Sequence, residues 1–105
     1  MYIADGKTNG PAFSWPDGKR IAVMVTFDYD AEFLRISRAK SKGTSIGFTD
    51  FSRGQYGPHE GLARCLDMLD TMNIKSTFFV PGAVIETYRD TVEEIHRHGH
   101  ELACH

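Results

Sequence analysis

The segment Val23-Met24-Val25-Thr26-Phe27-Asp28-Tyr29-Asp30-Ala31-Glu32 constrains this chain more than any other. Its nearly unbroken apolar run is the pattern of a strand buried on both faces, as in parallel sheets, and it ends abruptly in two carboxylates one residue apart. Side chains alternate along a strand, so Asp28 and Asp30 are predicted to share a face, at the sheet edge where α/β folds place their sites. Two acids that close repel each other and resist desolvation unless a cation or a shared proton compensates. A metal ion is the simplest compensation; a strand that merely ends in a solvated acidic loop is the alternative.

The rest of the chain supplies the partners for such a strand. Residues 1–19 hold Gly6, Gly10, Pro11, Pro16 and Gly18, which predicts an extended arm pinned by Phe13 and Trp15. Asp17-Gly18 is a turn into a strand from Ile21 to Phe27. From Arg35 to Gly57 no apolar period is sustained, and a long functional loop is expected, its basic residues solvated or facing a substrate. Pro58 suits a first helical position, and Leu62, Cys65, Leu66, Leu69 and Met72 trace the apolar stripe of a helix of about 14 residues. Ile74 to Val80 is a second buried strand, stopped by Pro81-Gly82. A short helical turn over Ala83 to Tyr88 precedes a helix that starts near Thr91, with Asp90 and Glu93 as a capping box and Gly99 just past its end. Glu101 to Cys104 is a third strand with His105 at its tip. Strand and helix thus alternate as in a parallel sheet built by right-handed crossovers, an α/β chain.

A length of 105 residues allows one domain with a modest core and falls short of most complete α/β barrels. Hydrophobic content of 41%, charged content of 25% and a net charge of −2 describe an ordinary globular protein, with no electrostatic case for nucleic acid or an anionic membrane. No leader-like segment opens the chain and no run approaches the roughly 20 apolar residues of a membrane span, so a cytoplasmic location is expected. Cys65 and Cys104 sit among apolar residues and are expected to be reduced, buried thiols. Of the histidines, His59, His96 and His98 fall at helix ends and are assigned no chemistry, and His100 is expected to bond loop backbone. His105, facing the two acids across the sheet edge, completes a plausible half of a mixed nitrogen and oxygen metal site, against the plainer alternative of a solvated imidazole.

Four motifs in fixed order carry a resemblance: Phe27-Asp28-Tyr29-Asp30-Ala31-Glu32, Ser52-Arg53-Gly54, Ser76-Thr77-Phe78-Phe79-Val80-Pro81-Gly82, and Gly99-His100-Glu101-Leu102-Ala103-Cys104-His105. Together, over residues 20–105, the chain resembles the polysaccharide deacetylase (NodB-homology) family, in its peptidoglycan-deacetylase-like and allantoinase-like branch. The resemblance implies the N-terminal portion of a distorted (β/α) barrel of about seven strands with a divalent metal, most often zinc, at its mouth. It implies a hydrolase of amide bonds that deacetylates an N-acetylated carbohydrate or acts on a related small amide or imide. Asp28 then resembles the catalytic base, and Asp30 and His105 resemble metal ligands, His105 as the first of an H-x-x-x-H pair. Arg53, Gly54 and Tyr56 are the substrate-binding candidates.

The sequence departs from that family pattern after His105, where the second histidine and the general acid would follow. With two of three ligands, the chain is expected to bind metal weakly and to be inactive by itself, as the first part of a longer enzyme, with uncovered edges that favour self-association. Two alternatives stay open on the sequence. A haloacid-dehalogenase-type phosphotransferase would use Asp28 as its nucleophile, and a non-catalytic, truncated binding module would use none of these residues for chemistry.

Overall fold

The computed structural model describes residues 14–105. A three-stranded parallel sheet in the order β1 (Thr26–Asp28), β2 (Thr77–Val80), β3 (Glu101–Cys104) organises it. Phe27 pairs with Phe78 and Phe78 with Leu102. The helices are α1 (Phe33–Ser41), α2 (Phe48–Tyr56), α3 (Leu62–Thr71), α4 (Gly82–Thr87) and α5 (Arg89–Arg97). No helix among the described residues is long and apolar enough to cross a membrane.

Alternation along β2 decides where the core lies. Phe78 and Val80 are buried and point to one face, where Leu62, Leu66 and Leu69 of α3 and Val92 and Ile95 of α5 close over them. Phe27 stacks on Phe78 there, with ring centroids 4.9 Å apart. Phe78, Leu69, Ile95 and Val84 are the largest fully buried side chains, each worth roughly 1.5–3 kcal/mol of hydrophobic transfer. Thr77 and Phe79 point to the opposite face and stay half-buried, because the described helices cover one side of the sheet only.

Several expectations are corrected by these packing facts. The first strand is short, Thr26–Asp28 instead of Ile21 to Phe27, because its ladder begins where the Thr77 N–H donates to the Val25 carbonyl at 3.2 Å. Upstream no described strand faces the chain, so Ile21, Val23 and Met24 are 76%, 82% and 87% exposed rather than buried on both faces. The expected loop from Arg35 to Gly57 is mostly helix, α1 and α2. Its inward residues Phe33, Ile36 and Ala39 are only half-buried and α2 buries Gly54 alone, which leaves no conspicuous apolar period. Pro58 does not start a helix: α2 runs through a π-helical turn, Gly57–Gly61, into α3. A proline lacks the N–H for an α-helical bond, and the widened turn accommodates it.

The second strand likewise narrows from Ile74–Val80 to Thr77–Val80. The helix expected near Thr91 starts at Arg89, so Asp90 lies inside its first turn and no capping box forms; Tyr88 stands at the N-cap without a side-chain bond. Gly99, with φ of 75°, ends that helix as anticipated, and β3 matches its expected span. Both cysteines are free, but Cys65 is half-buried and Cys104 exposed, since β3 is the edge strand beyond the helix cover. Of the anchors expected for the arm, Phe13 lies outside the described residues and Trp15 is 40% exposed.

A buried histidine ties the starts of β2 and β3 together. The Ser76 N–H donates to His100 Nδ1 at 3.2 Å, and the two residues are only 5% and 4% exposed. Nδ1 therefore carries no proton, and the N–H at Nε2 is buried without a partner among the described residues, as is Ser76 Oγ. Burial holds the His100 pKa below the ordinary histidine value, helped by the Lys75 and His98 charges and opposed by Asp70. The neutral ring is the form that fits, so an unfolded chain takes up a proton near pH 6.5 that the folded chain resists. Stability should be intact above that pH and fall as the solution is acidified below it. Urea unfolding at pH 7.5 and 5.0 should show this loss, and His100→Gln should flatten the slope.

Candidate active site at the carboxyl edge of the sheet

The sheet register carries three sequence-selected side chains to one place. Asp28 pairs with Phe79 and Phe79 with Ala103, and paired residues of a parallel sheet point to the same face. The ladder continues past β3, where the His105 N–H donates to the Val80 carbonyl at 3.3 Å, so His105, two residues beyond Ala103, returns to that face. This is the face that the helices leave open. Its imidazole lies between the acids: Nδ1 is 2.9 Å from Asp30 Oδ1 and Nε2 is 3.9 Å from Asp28 Oδ1. An ionised carboxylate only accepts, so Nδ1 bears the proton of the shorter contact. The Asp30 side chain is 17% exposed and Asp28 is 63% exposed, which separates a held carboxylate from one facing solvent.

Past Asp30 the chain turns inward. Ala31 has φ of 49°, a left-handed conformation that costs a non-glycine residue about 1–2 kcal/mol. The turn sends Glu32 inside, where it is 4% exposed and its two oxygens, 2.8 and 3.0 Å away, share the one proton of the Tyr88 hydroxyl. Thr91 spends its hydroxyl proton on the Tyr88 carbonyl at 2.7 Å, so Tyr29 donates to Thr91 Oγ1 at 2.8 Å. Burial pushes the Tyr88 hydroxyl pKa up, and donation to Glu32 adds to it. Burial likewise raises that of Tyr29. Both phenols remain donors at neutral pH, and the acid loop is thereby bolted to α5.

The second wall is α2. A Cβ at Gly54 would stand 2.4 Å from Glu32 Cα and 2.6 Å from Glu32 Cβ, so only glycine lets the helix sit against the acid loop. The result is an open cleft of about 290 Å³ lined by Asp28, Asp30, Arg35, Arg38, Arg53 and Gly54, among others. Arg35 is held by Asp50 at 3.0 Å. Of the substrate-binding candidates, Arg53 and Gly54 line this cleft, whereas Tyr56 does not: its ring lies against Gly61 and is 53% exposed. His98 is engaged elsewhere, 2.6 Å from Asp70, and His59 lies edge-on to the Tyr88 ring.

The sequence reading passed over Glu32, Tyr88 and Tyr29. Glu32 was visible as a third acid in the strand-end motif, but its burial depends on the turn at Ala31, which nothing in the residue types announces. Among the described residues no set of three or more His, Cys, Asp or Glu side chains is arranged to hold a metal ion. Asp30 and His105 offer two converging donors of the right chemistry, which fits part of a mixed nitrogen and oxygen site.

Two substitutions probe this scaffold. Tyr88→Phe strips Glu32 of its buried donor and should cost about 1–3 kcal/mol in chemical denaturation. Gly54→Ala forces α2 off the acid loop, and a loss of about 1–3 kcal/mol is expected from the overpacking.

Known proteins resemble this chain along most of its length. The polysaccharide deacetylase family model matches residues 16–105. A peptidoglycan deacetylase of Helicobacter pylori is 34% identical over 87 residues, covering 83% of this chain and 29% of that protein. A peptidoglycan deacetylase-like protein of Gibberella zeae is 29% identical over 89 residues, covering 83% of this chain and 26% of the relative. A crystal structure from Mycobacterium smegmatis, of a protein assigned as a polysaccharide deacetylase, superposes with a TM-score of 0.74 at 40% identity, over 91% of this chain and 34% of that one. The chain thus spans between about a quarter and a third of the length of these proteins. A family match across nearly the whole described sequence, with a solved relative that superposes over 91% of the chain, means that the chain belongs to the polysaccharide deacetylase family.

Proposed function

We propose that this sheet edge forms part of a metal-dependent amidohydrolase site that removes the acyl group from an N-acetylated carbohydrate. The observation that carries the reading is the position of His105 on the open face, 2.9 Å from Asp30 and 3.9 Å from Asp28. The relatives named as peptidoglycan deacetylases support the same substrate class. The haloacid-dehalogenase alternative gives His105 no part, and none of these relatives supports it.

Asp30 Oδ1 and His105 Nδ1 would hold the ion, in place of the proton they now share, and a third protein donor is needed beyond the described residues. Such an ion, when bound, supplies a polarised amide carbonyl and an acidified water. Asp28, the solvent-facing carboxylate, is placed to accept the proton of the attacking water. His105 is oriented by its backbone bond to Val80 and by Asp30, and the ring of Phe79, 6.5 Å away, shields one side of it. The Tyr88 and Glu32 pair takes no part in the chemistry; it holds the loop that carries Asp30.

With two donors in hand, Zn²⁺ titration of the 105-residue chain should give weak, single-site binding. Asp30→Ala and His105→Ala should abolish it, and Asp28→Asn should leave it nearly unchanged. Binding that survives His105→Ala would remove this site from consideration.

A further inference from the structure

The cleft beside the acid pair carries two guanidinium groups that form no ion pair among the described residues. Arg35, Arg64, Arg89 and Arg97 each lie within ion-pair distance of a carboxylate. Arg38, in the last turn of α1, and Arg53, on α2, have no such partner among the described residues, yet both line the cleft that contains Asp28 and Asp30. They come from two helices that the sequence offers as one loop, and the close seat of Gly54 on Glu32 is what brings the second of them to the acid loop.

Formal charge makes the consequence plain. With Arg35 tied to Asp50, the cleft sets two carboxylates against Arg38 and Arg53. A divalent cation held at Asp30 and His105 would offset the charge of the two carboxylates, so the cleft as a whole becomes positive toward whatever enters it. Guanidinium groups bind carboxylate and phosphate oxygens in a forked, two-bond geometry that a neutral hydroxyl cannot match.

We propose that Arg38 and Arg53 are specificity-determining residues, and that the substrate of this site is an N-acyl sugar that itself bears an anionic group, a carboxylate or a phosphate, close to the acyl amide. This rests on the amidohydrolase function proposed above and narrows it. The arginines select the substrate by its charge and take no part in bond cleavage. Because both are solvent-exposed, their contribution is a preference rather than an all-or-none requirement.

The test is a binding titration of the 105-residue chain, followed by amide NMR, with three probes: neutral N-acetylglucosamine, its 6-phosphate, and N-acetylmuramic acid, which carries a carboxylate. At low salt, with and without Zn²⁺, at least one anionic sugar should bind five-fold or more tightly than the neutral one, and which one does so identifies the anion. The double variant Arg38→Ala with Arg53→Ala should erase that preference, the double lysine variant should restore part of it, and Arg97→Ala, remote and already paired, should leave it intact. Equal binding of neutral and anionic sugars, or a preference that survives the double alanine variant, overturns the proposal. Lactate that binds as tightly as N-acetylmuramic acid, with the same dependence on the arginines, upholds the anion site and counts against the N-acyl function, so the two failures are distinguishable.

Discussion

The ladder that sets Asp28 beside Phe79 and Phe79 beside Ala103 is the constraint from which the rest of this structure follows. A slip of one residue in either pairing would turn every side chain of that strand to the opposite face. Asp28 would then point into the leucines of α3, and His105 would lose both acids. What pins the register is the apolar row of half-buried Phe27 and buried Phe78 and Val80, which has only one face on which to escape water. The core and the site are therefore two sides of the same alternation, and hydrophobic burial on one side fixes polar geometry on the other.

How far this was legible in the residues depended on how strongly each segment is patterned. Thr77-Phe78-Phe79-Val80 is a continuous β-rich run stopped by Pro81-Gly82 and ends where expected though it starts three residues later, and Glu101 to Cys104, set off by Gly99, matches its expected span. The stripe of α3 was equally plain, because leucine repeats at helical spacing. By contrast α1 and α2 bury almost nothing large, and α2 docks through a glycine, so the feature that places it is an absent side chain. Upstream, Val23 and Met24 read as a buried strand yet project into solvent, because hydrophobicity states what a residue would bury and not whether a neighbour exists to bury it. The meeting of Asp28, Asp30 and His105 was inferable from the topology, whereas the engagement of Glu32 by Tyr88 was not, since the two lie 56 residues apart with no motif to link them.

The inner carboxylate and the outer pair show how one short loop manages three acids. Asp28 remains wet, Asp30 shares a proton-bearing contact with an imidazole, and Glu32 is carried away from both by the left-handed Ala31 and satisfied by a phenol. The strain at Ala31 is small beside the cost of leaving Glu32 buried and unpaired, so the loop and α5 are stable only together.

The π-helical turn at Gly57–Gly61 has a geometric effect that outweighs its length. At about 100° per residue, even α-helical winding would set Arg53, nine residues before Leu62, on the opposite side of the axis, and one extra residue taken into the turn cuts that separation to about 80°. Gly54, buried against Glu32, thus falls nearly in line with Leu62, Leu66 and Leu69 on what is nearly a single rod, and Arg53 stands beside that line and reaches the cleft. Excising a residue from that turn would restore even winding without turning Arg53 relative to the leucines, so the widened coil acts as a splice that lets the rod keep one continuous inward edge.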